Sequence, residues 1–130
     1  MARILVVEDA LEVRESIKGS LEDAGFAVDD APDGVAALAV LERQPCDLMI
    51  TDLWMPNMDG LDLLKRLRAI NPKMPVIVIS GGAPRRAPID YSVALADTFG
   101  ADRVLHKPFD NDDLVDEVKK LLAHYAEKAA

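Results

Sequence analysis

Leu48-Met49-Ile50-Thr51-Asp52-Leu53-Trp54-Met55-Pro56-Asn57-Met58-Asp59-Gly60 carries an apolar run into one carboxylate and then into a turn built from Pro and Asp-Gly. A short apolar run that ends on a polar residue followed by breakers reads as a buried strand with its last side chain at the sheet edge. Asp52 is therefore the first candidate for a reactive group. By itself it equally well starts the following turn, the commonest task of an Asp at a strand end.

Outward from this stretch the same pattern recurs. Residues 3–7 form a short β-branched run. Residues 10, 13, 17, 21 and 24 then repeat apolar side chains at helical spacing, with Gly25 placed to terminate the helix. Residues 26–30 read as a weak strand, and Pro32-Asp33-Gly34 opens an Ala-rich helix running to Glu42. Residues 47–52 are the third strand, and 59–70 the third helix, with Leu61, Leu64 and Leu67 facing inward. Residues 75–80 are the fourth strand, apolar at every interior position and hence buried on both faces. Residues 81–88, rich in Gly and Pro, read as a loop, and 89–99 as a loosely patterned helix. Residues 103–106 form a fifth strand. A last helix follows, capped by Asp110 or Asn111, with Leu114, Val118, Leu121 and Tyr125 on one stripe.

Five strands alternating with five helices predict an α/β fold with a doubly wound parallel sheet, and its order is taken as the flavodoxin-like 2-1-3-4-5. The 130 residues suit a single domain over residues 1–130, its core at about 3–125. No apolar run reaches membrane-spanning length, and the N-terminus lacks the pattern of a secretory leader, so the chain is expected to be cytoplasmic and not inserted in a membrane. A net charge of −8 opposes direct DNA binding. The lone Cys46 reads as a small core residue. His106 and His124 lack partners at metal-ligand spacing, and the Arg85-Arg86 pair reads as solvated loop surface.

The fold places the strand-ending polar residues on one edge: Glu8 and Asp9, Asp52, Ser80 and Lys107. Three carboxylates held together repel one another, and a proton or a cation must offset that. Hard oxygen donors with open positions suit Mg²⁺, or Mn²⁺ in its place. A divalent cation beside a carboxylate, a lysine and a hydroxyl is an arrangement for phosphoryl transfer, with Asp52 as nucleophile. Lys107 would pair with Asp52 and then with a phosphoryl oxygen, and Ser80 would donate to another.

These residues resemble the receiver domain of two-component response regulators, in its stand-alone form similar to the chemotaxis regulator. The resemblance spans about residues 3–125. It rests on Glu8-Asp9, on Asp52-Leu53-Trp54-Met55-Pro56 with Met58-Asp59-Gly60, on Ser80, and on Lys107-Pro108-Phe109. It implies Asp9 and Asp52 as metal ligands together with the backbone carbonyl of Trp54, Glu8 acting through water, and a cis Lys107-Pro108 bond. It further implies a signalling domain rather than a turnover enzyme, phosphorylated by a sensor histidine kinase or a histidine phosphotransfer protein and read by a downstream effector protein.

The chain departs from the family pattern at several points. Val104 stands where the family often has an aromatic that moves with phosphorylation, and His106 precedes the lysine. The 81–88 segment is longer than usual, and Trp54 is bulky two positions after Asp52. The rival readings are a non-phosphorylated interaction module on the same fold, a receiver cut from a hybrid kinase or longer regulator, and a flavodoxin-like cofactor binder. The last lacks a Gly-rich phosphate cradle after the first strand.

Overall fold

The computed structural model describes residues 1–55, 57–81 and 100–129. The elements are β1 (Arg3–Val7), α1 (Leu11–Asp23), β2 (Ala27–Ala31), α2 (Gly34–Arg43), β3 (Leu48–Asp52), α3 (Gly60–Ile70), β4 (Val76–Ser80), β5 (Arg103–His106) and α4 (Asn111–Ala129). The five strands form one sheet in the order β2-β1-β3-β4-β5, every neighbouring pair parallel. The expected strand order is therefore correct. Four helices lie among the described residues; the helix expected over 89–99 and most of the 81–88 loop fall outside them.

Side-chain alternation explains the layers. In β1, Leu5 and Val7 face the core shared with α2 and α3, while Ile4 and Val6 face the core shared with α1 and α4. The same split recurs in β4, where Val76 and Val78 point one way and Ile77 and Ile79 the other. Such two-sided burial is why β3 and β4 read as continuous apolar runs. The edges are more polar: β2 carries Asp29 and Asp30, and β5 begins on Arg103 and ends on His106, both exposed.

Helix ends follow local chemistry. Asp33 caps α2 by accepting from the Ala36 N–H at 2.8 Å, and Asp59 caps α3 by accepting from the Asp62 N–H at 2.8 Å. Gly25 terminates α1 at φ 98°, a conformation that favours glycine.

On two helices the structure adds to the sequence pattern. On α3 Leu64 and Leu67 are buried as expected and Leu61 is half-buried against the same core, while Leu63, outside the expected set, is fully buried. The helix starts at Gly60, whose N–H donates to the Leu53 carbonyl at 2.8 Å, and residues three, four and seven positions beyond that anchor turn toward the sheet. α4 starts at Asn111, which leaves Asp110 of the two capping candidates just before the helix, its carbonyl accepting from the Asp113 N–H at 3.0 Å, while the Asn111 amide donates to Ser16 Oγ at 2.9 Å and Ser20 Oγ at 3.0 Å. It ties two neighbouring helices together.

No helix among the described residues is long and apolar enough to cross a membrane. Cys46 is half-buried with Sγ 3.7 Å from Met74 Sδ, and burial pushes its thiol up to about 11, as befits an inert packing residue.

Candidate functional site at the carboxyl edge of the sheet

All five strands run the same way, so the residues that end β1, β3, β4 and β5 meet at one edge. Glu8 directly follows β1, its N–H donating to the Ala31 carbonyl at 3.1 Å, and is 1% exposed. Asp52 is the last residue of β3 and 3% exposed. Leu53 N–H donates to the Ile79 carbonyl at 3.0 Å, which keeps the exit of β3 attached to β4. Ser80 ends β4, buried, opposite His106 in the register with β5. Lys107 comes next, its N–H donating to the Ser80 carbonyl at 2.8 Å, and the peptide that follows it to Pro108 is cis.

One carboxylate oxygen from each of Glu8, Asp9 and Asp52 lies within 4.8 Å of the other two; Glu8 and Asp52 are buried and Asp9 is exposed. Lys107 Nζ donates to Asp52 Oδ2 at 2.9 Å and to Glu8 Oε2 at 3.3 Å. The other Asp52 oxygen, Oδ1, accepts from the Trp54 N–H at 3.2 Å. Glu8 Oε1 accepts from the Ala10 N–H at 3.3 Å, so this acid also serves the start of α1.

Both proton and cation relieve the repulsion between these acids. Burial, then a hydrogen bond to Asp52 and the charge of Asp52, raises Glu8 to about 7 against the downward pull of Lys107 and the Ala10 N–H. Burial pulls the Lys107 ammonium down, but hydrogen bonds and charge from Asp52 and Glu8 outweigh it and leave its pKa raised. Lys107 therefore stays charged at neutral pH.

The loop after β3 is held by its own contacts. Asn57 adopts φ 68°, and its amide donates to Asp33 Oδ2 at 3.0 Å, fastening this loop to the cap of α2. A Cβ on Gly60 would collide with the Asp52 backbone carbonyl. The glycine lets α3 begin directly beneath the strand end that carries the acid.

Thus Glu8, Asp9, Asp52 and Lys107 come together as expected, Ser80 sits at the adjoining strand end, and the Trp54 N–H points to Asp52. Val104 pairs with Val78 and is half-buried against the core on the α2 and α3 side, an aliphatic packing residue at the position where an aromatic was weighed. Arg14 escaped the sequence reading. Its guanidinium bonds the Glu8 backbone carbonyl and Asp30, and nothing in the spacing of Arg14 within an amphipathic helix singles it out.

The response regulator receiver domain model matches residues 4–119. The chain belongs to this receiver family. Receiver protein CpdR of Brucella abortus is 38% identical over 125 residues, covering 94% of this chain and 98% of CpdR. Response regulator MprA of Mycobacterium leprae is 38% identical over 120 residues, covering 92% of this chain but 50% of MprA, so the chain spans half the length of that relative. Among solved structures, a CheY-like receiver domain protein from Methanospirillum hungatei superimposes with a TM-score of 0.88 at 30% identity, covering 98% of each chain. Receiver domains are signalling modules, and the acidic edge of this one offers a hard-oxygen donor set that fits a divalent cation.

Proposed function

We propose that this receiver accepts a phosphoryl group from a phosphohistidine onto Asp52, and that the aspartyl phosphate switches its contacts with a downstream protein. The observation that carries the reading is the 2.9 Å contact between Lys107 Nζ and Asp52 Oδ2 inside the cluster of Glu8, Asp9 and Asp52. A carboxylate that served only as a turn residue has no need of a lysine delivered from the far end of the chain.

In the reaction an Asp52 carboxylate oxygen attacks phosphorus, forming a P–O bond while the P–N bond to the donor histidine breaks. The electron pair stays on the imidazole nitrogen, which takes up a proton. Lys107 then pairs with a phosphoryl oxygen, and Ser80 donates its hydroxyl proton to another. Asp9, Asp52 and the Trp54 carbonyl would hold Mg²⁺, with Glu8 acting through water. The cation supplies neutralisation of the phosphoryl oxygens' charge when it is bound. The donor is a sensor histidine kinase or a histidine phosphotransfer protein. The acidity of the chain, net −8, favours a protein rather than a nucleic acid as the reader of the switch.

The test is to incubate the protein with Mg²⁺ and phosphoramidate and to measure intact mass. One added phosphoryl group on the wild type, absent in Asp52→Asn and when Mg²⁺ is chelated, is the expected result. An unmodified wild type with this donor and with a phosphorylated histidine phosphotransfer domain overturns the reading.

A further inference from the structure

Arg14 lies on α1, one turn beyond the acidic pair, with its side chain only 13% exposed. Nη1 donates to the Glu8 backbone carbonyl at 2.8 Å, and Nε donates to Asp30 Oδ2 at 3.0 Å. Lys18 also reaches Asp30, at 3.7 Å from Oδ1. The Glu8 carbonyl belongs to the peptide that joins Glu8 to Asp9, so whatever fixes that carbonyl fixes the plane from which the Asp9 carboxylate departs. Asp9 is exposed and therefore has little packing of its own to hold it near Asp52.

We propose that Arg14 is a positioning residue for the divalent cation: by bridging the Glu8–Asp9 peptide to Asp30 at the end of β2, it holds Asp9 in reach of Asp52. This rests on the metal-dependent reading above and assigns a residue outside the cluster to it. The planar guanidinium is suited to the task because its nitrogens diverge in a fixed fork, one to a carbonyl and one to a carboxylate. A lysine in its place keeps the charge and cannot span both acceptors. Asp30 keeps Lys18 as a partner when Arg14 is changed, so the variant does not strand a buried charge. Groups that orient metal ligands from behind typically cost ten- to a hundredfold in metal affinity when removed.

The experiment measures Mg²⁺ binding by calorimetry on the wild type, Arg14→Lys, Arg14→Ala and Arg14→Lys/Asp30→Asn, with metal-free circular dichroism to confirm folding. It also measures the Mg²⁺ dependence of phosphorylation by phosphoramidate. Both single variants are expected to bind Mg²⁺ about tenfold more weakly, with the phosphorylation rate at saturating Mg²⁺ within about twofold of wild type by the same reasoning. The double variant is expected to bind no more weakly than Arg14→Lys, because both changes break one bridge. Binding by Arg14→Lys at wild-type strength overturns the proposal, and so does a double variant that binds more weakly than Arg14→Lys. A fall in the saturating rate that matches the loss of affinity also overturns it, since a general structural defect would move both. A wild type that binds no Mg²⁺ overturns the metal reading itself, and this inference with it.

Discussion

Lys107 Nζ and Asp52 Oδ2 lie 2.9 Å apart although the two residues are 55 positions apart in the chain. The lysine side chain is 29% exposed and the aspartate side chain 4%, so the ammonium is the group through which a buried carboxylate meets solvent. Replacing Lys107 by Met leaves Asp52 and Glu8 facing each other without that cation. The expected cost is about 3 kcal/mol in metal-free urea denaturation at pH 7, with a smaller cost when Mg²⁺ is present, because the bound cation takes over the neutralisation.

Glu8 makes stability depend on pH with a definite sign. Its folded pKa of about 7 exceeds the ordinary 4.5. Between these values the folded chain holds a proton that the unfolded chain has released. The stability this proton provides is complete below 4.5 and is lost as pH rises to about 7, a change on the order of 3 kcal/mol. Metal-free wild type, compared with Glu8→Gln, should therefore lose stability across that window and then run parallel. A constant difference from pH 4.5 to 8 contradicts the assignment.

Gly60→Ala places a methyl group against the Asp52 carbonyl and 2.8 Å from Leu53 Cα. Neither neighbour is a flexible side-chain tip, so backbone must move. A loss of about 3 kcal/mol is expected in urea denaturation, together with slower phosphorylation, because the strand end that shifts is the one bearing Asp52.

Tyr125→Phe tests the opposite edge of the sheet. Tyr125 Oη donates to Asp102 Oδ1 at 2.6 Å, while Asp102 Oδ2 accepts from the Val76 N–H at 2.8 Å and lies 3.7 Å from Arg68. With those partners retained, the expected loss is about 1.5 kcal/mol. The phosphorylation rate should be unchanged, since this cluster sits at the amino ends of β4 and β5, away from Asp52.

The legibility of the sequence depended on which interactions have a period. The central strands announced themselves because two-sided burial leaves few polar positions, and the parallel pairing of the sheet followed from alternation with helices. Glu8, Asp9, Asp52, Ser80 and Lys107 were readable because parallel strands deliver their last residues to one edge. Leu63 was missed because the rotation of α3 is set by the Gly60–Leu53 hydrogen bond, which no periodicity records. Asn111 has the residue type of a cap, and only the proximity of Ser16 and Ser20 diverts it. Arg14 was invisible for the same reason: its acceptors are a backbone carbonyl and an acid from another strand.

Gly81 gives the lysine a second role. A Cβ there would come within 2.6 Å of Lys107 Cβ, so the bare backbone leaving β4 lies directly against the lysine stem. The ammonium and the exit of β4 are thus mechanically joined. Under the proposed phosphorylation of Asp52, a stronger pull on Nζ would act along this stem on the backbone at Gly81. A bulkier residue at 81 would wedge the lysine stem away from its carboxylate.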